Sequence, residues 1–309
     1  MYRERLRHFD GMTDISKSLR EELDKRYRIS RPELIRVQQS KDGTRKYLFK
    51  MSDGKAIESV LIAQPKRYTL CISSQVGCAI ACSFCATGRM GLTRSLRTSE
   101  IIGQVLAVQD DIQFSNIVFM GMGEPLHNLV NVSRAVRLLN DRLGLDFSSR
   151  KITVSTSGLV PAINKFAVSG AEANLAISLN ATTDEQRDVL IPINKRWPMK
   201  VLLQTLREYP LKKGRRITIE YVMLGGVNDS REDLMRLPRL LKGIPCKINL
   251  IPYNANAGLG YDAPKKEVVY AWQKSLLDSG MSSSIRWSKG MDIDAACGQL
   301  ATESTRKRS

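Results

Sequence analysis

The sequence predicts an α/β fold: a mainly parallel sheet with helix-covered faces, curled into a partial barrel, behind a small helical and β-hairpin extension. Three observations carry that expectation. From Tyr68 onward, short apolar runs alternate with helical stretches, the pattern of repeated strand–helix units. About six such units fit in 309 residues, too few for a complete eight-fold barrel, which puts a partial barrel first and a doubly wound open sheet second. Several strand runs also end in polar or glycine-rich sequence: CISSQVGC, FMGMGEP, VSTSG, ISLN and IPYN.

Residues 1–42 are charged, and DISKSLREELDKRYRI spaces Ile15, Leu19 and Leu23 as a helix would, after an N-cap at Asp14. Residues 43–66 contain two strand-like runs joined at Ser52-Asp53-Gly54, an Asp-Gly hairpin signal. The barrel spans residues 67–302. Its strands are YTLCISS, NIVFM, KITVST, NLAISL, RITIEYVML, KINLIPY and SSIRW. Helical segments fall near 98–109, 130–141, 160–168, 199–208, 230–242 and 265–279. A basic tail, residues 303–309, closes the chain. Ligands of parallel α/β folds gather at the carboxyl ends of the strands, so the five unusual strand ends point to one site.

With 42% hydrophobic residues the chain can build a core. Its 48 Lys+Arg against 31 Asp+Glu leave +17, which favours a polyanionic partner. A membrane is disfavoured, because no apolar run approaches the roughly 20 residues of a spanning helix. MYRERLRHFDGM is charged from the start and has no apolar signal core. The expected location is the reducing cytoplasm, where clustered cysteines serve as metal ligands or catalysts more often than as disulfides.

Four of the six cysteines, Cys71, Cys78, Cys82 and Cys85, crowd into one short stretch. A structural zinc site wants four ligands, usually as two pairs. The only histidines are His8 and His127, and Cys246 and Cys297 are isolated from each other. Three closely spaced thiolates instead suit three irons of an iron–sulfur cubane, leaving the fourth iron open to a ligand.

Cys78-x-x-x-Cys82-x-x-Cys85 after a strand, with Phe84 before its last cysteine, resembles the radical S-adenosylmethionine (SAM) superfamily. CISSQVGCAIACSFCATG, GMGEPL, STSG, PINKRWP, IEYVMLGGVND, CKINLIPYN and DIDAACGQL are similar to its RNA adenine methyltransferases, over about residues 43–302. The resemblance implies a partial (β/α)6 barrel and a [4Fe–4S] cluster on Cys78, Cys82 and Cys85, with SAM on the open iron. It also implies SAM contacts from Gly123, Glu124, Ser155, Ser178, Leu179, Asn180 and Asn254. Read by itself, Gly121-Met122-Gly123-Glu124 is a poor phosphate loop; its glycines permit close backbone approach, and Glu124 offers an acceptor for an ammonium. Asn180 departs from the family, where many members carry His; Asn hydrogen-bonds but does not titrate.

A hydrogen-bearing carbon of adenine is electron-poor and does not attack a sulfonium, so its methylation needs a radical and a carrier nucleophile. The resemblance makes Cys297 that carrier. One SAM methylates it, and a second yields a 5′-deoxyadenosyl radical that takes a hydrogen from the Cys297 methyl. The methylene radical then adds to adenine, giving an RNA–protein adduct. Glu58 is the implied proton acceptor, and Cys71 attacks the Cys297 sulfur, releasing product and leaving a transient disulfide. Cys246 has no implied role and reads as strand filler.

The implied partners are 23S ribosomal RNA, transfer RNA and a flavodoxin-type electron donor, with the chain acting as a monomer. Pro125 in GMGEP resembles the carbon-2 branch, where the carbon-8 branch tends to carry Ala. The alternatives are carbon-8 methylation of 23S ribosomal RNA and a non-enzymatic RNA-binding scaffold. Relatives usually carry a longer amino-terminal helical domain, and FDGMTDISKSL resembles its end.

Overall fold

The computed structural model describes residues 6–29, 31–254 and 258–300; the basic tail expected at 303–309 lies outside them. Helix α1 (Lys17–Arg26) is capped by Ser16, whose hydroxyl accepts the Leu19 N–H at 3.3 Å. The cap is therefore Ser16 and not Asp14: a serine immediately before the first helical residue satisfies one of the orphan N–H groups, and Asp14 is two residues too early.

The first four strands, β1 (Glu33–Gln39), β2 (Arg45–Lys50), β3 (Ala56–Gln64) and β4 (Arg67–Cys71), form an antiparallel meander. β1 lies in residues 1–42 beyond the helical DISKSLREELDKRYRI stretch, where the sequence pattern predicts no strand. Its largely exposed Leu34, Ile35 and Val37 suit an edge strand better than a packed helix.

From β4 the sheet continues in parallel through β7 (Asn116–Phe119), β8 (Ile152–Thr156), β9 (Asn174–Ser178), β10 (Ile217–Met223), β11 (Cys246–Pro252) and β12 (Ser283–Ile285). These strands follow one another in space as in sequence, and β12 does not pair back to β4 among the described residues. That is an α/β partial barrel. Two short strands, β5 (Gln75–Gly77) and β6 (Leu92–Ser95), form a separate ribbon around the cysteine loop.

The crossovers hold α2 (Ala86–Arg89), α3 (Thr98–Gln109), α4 (Leu129–Asn140), α5 (Val160–Ala167), α6 (Asp184–Leu190), α7 (Met199–Glu208), α8 (Arg231–Leu240) and α9 (Lys266–Asp278). Leu70, Ile117, Val154, Ile177, Ile219 and Ile248 of the parallel strands pack with Val105, Val136, Ile163 and Leu206 of these helices in one core. On the α9 side the Trp272 ring meets Tyr221 of β10 at 5.2 Å. No helix among the described residues is long and apolar enough to cross a membrane.

After β12 the chain returns across the carboxyl ends of the strands. The Gly298 carbonyl accepts the Ala86 N–H at 2.8 Å, and the Leu300 carbonyl accepts the Thr87 hydroxyl at 2.6 Å. Topology thus brings the residues around Cys297 onto the cysteine loop, more than two hundred positions away in sequence.

Candidate active site

The cysteine loop leaves β5 through a bulge at Gly77, where φ is +75°. A Cβ there would lie 1.8 Å from the Gly91 carbonyl oxygen, which also accepts the Cys78 N–H at 2.9 Å. Cys85 precedes α2 and donates its N–H to the Cys82 carbonyl at 3.2 Å. All three cysteines line one cavity over the strand ends. Burial pushes the Cys78 thiol up to about 12, and raises Cys82 and Cys85 as well.

Buried thiols with raised pKa values ionise only beside a strong positive charge, as thiolate ligands of a metal do. Among the described residues no three His, Cys, Asp or Glu converge on a single ion. A cubane needs no such convergence, since each thiolate binds a different iron. The donor set fits a three-cysteine cluster better than a mononuclear site.

Across the cavity, Gly121 and Gly123 bring the turn after β7 against the turn after β4. A Cβ at Gly121 would meet the Ile72 backbone at 2.8 Å, and one at Gly123, with φ +99°, would meet Gln75 Cβ at 2.5 Å. The close approach that these glycines permit is therefore to the protein's own chain. Gln75 Oε1 accepts the Glu124 N–H at 2.9 Å and completes the contact.

Glu124 is buried and braced on both oxygens. Oε1 accepts the Leu126 N–H at 3.0 Å, while Oε2 accepts the Ser157 N–H and hydroxyl, each at 2.8 Å. Burial raises its pKa against those hydrogen bonds. A carboxylate has about four lone-pair sites, so an ammonium still finds an acceptor there.

Ser155, Ser178, Asn180 and Asn254 line the same cavity. Leu179 does not: its side chain is fully buried, and its carbonyl accepts Arg187 Nε at 3.1 Å. Asn180 has φ +56°, a conformation Asn tolerates better than most residues. Its Oδ1 accepts the Val222 N–H at 2.8 Å, and its carbonyl accepts Asn228 Nδ2 at 2.7 Å. The side chain is thus engaged in shaping the strand end.

Two residues that sequence reasoning passed over complete the walls. Glu220 of β10 lines the cavity; Asn249 Nδ2 donates to its Oε1 at 3.1 Å, and its buried Oε2 has no hydrogen-bond partner among the described residues. That orphaned oxygen fits a cavity built for a ligand carrying donors, as the amino and hydroxyl groups of SAM are. The second residue, Arg187, is fully buried in α6. It donates to the carbonyls of Ser157 at 2.5 Å and Ser178 at 3.2 Å, and to Asn194 Oδ1 at 3.0 Å, clamping the ends of β8 and β9. Glu220 lies within IEYVMLGGVND, where nothing local sets it apart from its strand neighbours, and an Arg among the acidic residues of a seven-residue helix reads as surface.

Cys297 borders two spaces. One is the cavity of the cysteine loop; the other is an adjoining chamber lined by Cys71, Arg286 and the β3 residues Val60 and Ile62. Burial pushes the Cys71 thiol up to about 12, and the nearby Cys297 adds to the rise while Arg286 opposes it. Cys297 is raised too, by burial, with Arg286 again opposing. Glu58 does not line either space directly, but alternation along β3 puts it on the side of Val60 and Ile62. It is buried, with Lys46 Nζ 3.6 Å from Oε1. Cys246, half-buried at the start of β11, is in neither space.

The sequence model of the radical SAM superfamily matches residues 72–237. The chain is 53% identical to a dual-specificity RNA methyltransferase RlmN of Geobacter sulfurreducens over 302 residues, 97% of this chain and 83% of that protein. A protein of the same name from Geotalea uraniireducens is also 53% identical, over 97% of this chain and 87% of its own length. A crystal structure of a radical SAM methyltransferase from Sphaerobacter thermophilus superposes with a TM-score of 0.90 at 44% identity, covering 97% of this chain and 89% of that one.

Proposed function

The chain belongs to the radical SAM superfamily and, within it, to the RlmN group of RNA methyltransferases, and from that premise we propose that it methylates carbon 2 of adenine in 23S ribosomal RNA and transfer RNA. The enzyme uses SAM and a [4Fe–4S] cluster. Cys78, Cys82 and Cys85 hold the cluster, and Gly123, Glu124, Ser155, Ser178, Asn180 and Asn254 surround SAM, with Leu179 behind them in the core. When bound, this pair supplies the reductively generated carbon radical that a closed-shell protein side chain cannot supply.

The chain's own residues do the rest. Cys297 carries the methyl group as a thioether between the two spaces. The adduct left by radical addition must first give up its odd electron, which the oxidised cluster would accept; Glu58 then takes the ring proton, the carbon–hydrogen electron pair staying with the ring. Cys71 then attacks the Cys297 sulfur. A sulfur–sulfur bond forms, the bond from sulfur to the transferred carbon breaks, and that carbon leaves with its electron pair to become the methyl group after protonation. A dithiol reductant resets the pair. The surplus of basic residues serves the RNA backbone. A flavodoxin-type protein feeds the cluster, and the chain works as a monomer in the cytoplasm.

The single observation that carries this reading is the place of Cys297, on the wall shared by the cysteine-loop cavity and the chamber that holds Cys71. A metal-binding scaffold without chemistry has no use for a fourth thiol set there. The test is mass spectrometry of RNA from a strain lacking its own carbon-2 methyltransferase, with and without this protein. Expected is 2-methyladenosine in both RNAs. Finding neither 2- nor 8-methyladenosine, with iron and sulfide present in the purified protein, overturns the methyltransferase reading; 8-methyladenosine alone overturns the carbon-2 assignment.

A further inference from the structure

Lys46 is a lysine where lysines seldom are. It lies on β2 with 3% of its surface exposed, against the equally buried Glu58 on β3. Cross-strand register pairs Lys46 with Val60 and Leu48 with Glu58, so Lys46 and Glu58 are diagonal neighbours on one face. The ammonium reaches in two directions: 3.6 Å to Glu58 Oε1 and 3.4 Å to the carbonyl oxygen of Asp294.

Asp294 stands three residues before Cys297, in a left-handed backbone conformation with φ +49°. The same segment is tied to the β1–β2 turn at three further points. Ser40 Oγ donates to Asp292 Oδ1 at 2.6 Å, the Lys41 N–H donates to Asp292 Oδ2 at 3.2 Å, and the Gly290 N–H donates to Asp42 Oδ2 at 2.9 Å. Lys46 is the charged and buried member of this clamp.

Resting on the reading of Glu58 as proton acceptor, we propose that Lys46 is its positioning residue, holding Glu58 as a carboxylate and setting it in register with the Cys297 segment through the Asp294 carbonyl. A carboxylate this deep is costly without a cation and takes up a proton instead. A protonated Glu58 cannot accept the ring proton. In the step itself the proton passes from the adduct carbon to the Glu58 oxygen, the bonding pair remains in the ring, and Lys46 keeps its own protons. The ammonium thus links the β3 base to the backbone of the segment that carries the sulfur. A shift of either partner moves the other.

The experiment compares Glu58→Gln, Lys46→Met and Lys46→Ala, each made with its cluster and given RNA. The readouts are methylated product and the denaturant-resistant Cys297–RNA adduct. Glu58→Gln tests the base alone: if it accumulates no adduct, the reading of Glu58 fails, whatever Lys46 does. If it does accumulate adduct, Lys46→Met, which keeps the side-chain length, is expected to accumulate the same species with product formation down roughly 100-fold, the scale of a lost general base. Ethylammonium is expected to restore turnover to Lys46→Ala but not to Glu58→Gln, and ethanol to restore neither. A merely structural lysine would not show that selectivity. Amide hydrogen exchange at residues 290–298 is expected to quicken in Lys46→Met even without the cluster. Wild-type turnover of Lys46→Met without adduct, unchanged exchange at 290–298, or trapped Lys46→Ala adduct that ignores ethylammonium would each overturn the proposal.

Discussion

Replacing Gly77 by alanine is expected to unseat the cysteine loop. Two separate costs arise at this position. The left-handed φ of +75° costs an alanine about 1–2 kcal/mol. The new Cβ would also sit 1.8 Å from the Gly91 oxygen, and reaching even 3.0 Å requires a shift of about 1.2 Å. That shift is borne by backbone on both sides, because Gly77 and Leu92 are paired partners of the β5–β6 ribbon. It breaks the 2.9 Å bond from the Cys78 N–H to the Gly91 oxygen, at about 1–3 kcal/mol for a buried group left unpaired. Together the loss is about 2–5 kcal/mol, a fall in Tm on the order of 10 °C. The assays are thermal unfolding of the apo-protein and iron content after anaerobic reconstitution, where the first cysteine of the triad is expected to be lost as a ligand. Gly91→Ala is the internal control: its φ is +65°, but nothing lies within 4 Å of a Cβ there, so only the conformational cost of about 1–2 kcal/mol applies. Gly77→Ala with a Tm and iron content equal to those of Gly91→Ala would refute the steric argument.

Asn180→Ala loses the 2.8 Å hydrogen bond to the Val222 N–H and strains a φ of +56°, an expected cost of about 2–4 kcal/mol in urea unfolding. Asn180→Gly loses the same hydrogen bond without the backbone strain, and is expected to cost only about 1–3 kcal/mol. The Cys71 thiol ionises near 12 in the fold against an ordinary 9.0. Its neutral form is therefore favoured by folding, so that stability is intact below about pH 9 and declines as pH rises toward 12, by up to about 4 kcal/mol. Apo-protein unfolding across that window, compared with Cys71→Ala, is expected to show a shallower decline in the variant; parallel curves would count against a deeply buried Cys71 thiol.

The parallel half of the fold was legible because each of its strands is a compact apolar run, from YTLCISS to KINLIPY, and each such run is a strand in the structure. The cavity residues were legible for a related reason, since a parallel α/β sheet gathers the carboxyl ends of its strands in one place, and five of those ends are polar or glycine-rich. Leu179 shows the limit of this: standing between two cavity residues, it turns its side chain into the core, and its backbone N–H and carbonyl are both bonded within the protein. β1 was hidden because an edge strand exposed on both sides has no alternation to read. Helix α6 was hidden because the residue it buries deepest beside Leu190 is Arg187. Lys46 and Arg286 were hidden for the same reason. Charged residues in a basic chain are assigned to solvent unless a partner is known, and their partners are distant in sequence.

Arg187 joins the PINKRWP stretch to the cysteines. Among the described residues no carboxylate touches its guanidinium, and burial pulls its pKa down to about 10, still far above neutrality. The countercharge is held one step away. Asn194 accepts from Arg187 Nη1 and donates to Asp184 Oδ1 at 2.8 Å and Asp188 Oδ1 at 2.7 Å. An amide relay of this kind leaves the cation under-neutralised on its other side, which faces Cys82; a Cys82 thiolate would favour the Arg187 charge. Arg187 bears its desolvation largely through the carbonyls of Leu179, Ser157 and Ser178. Through Ser157 the same clamp reaches the Glu124 carboxylate, so one buried charge ties the ends of β8 and β9 to the wall of the cavity.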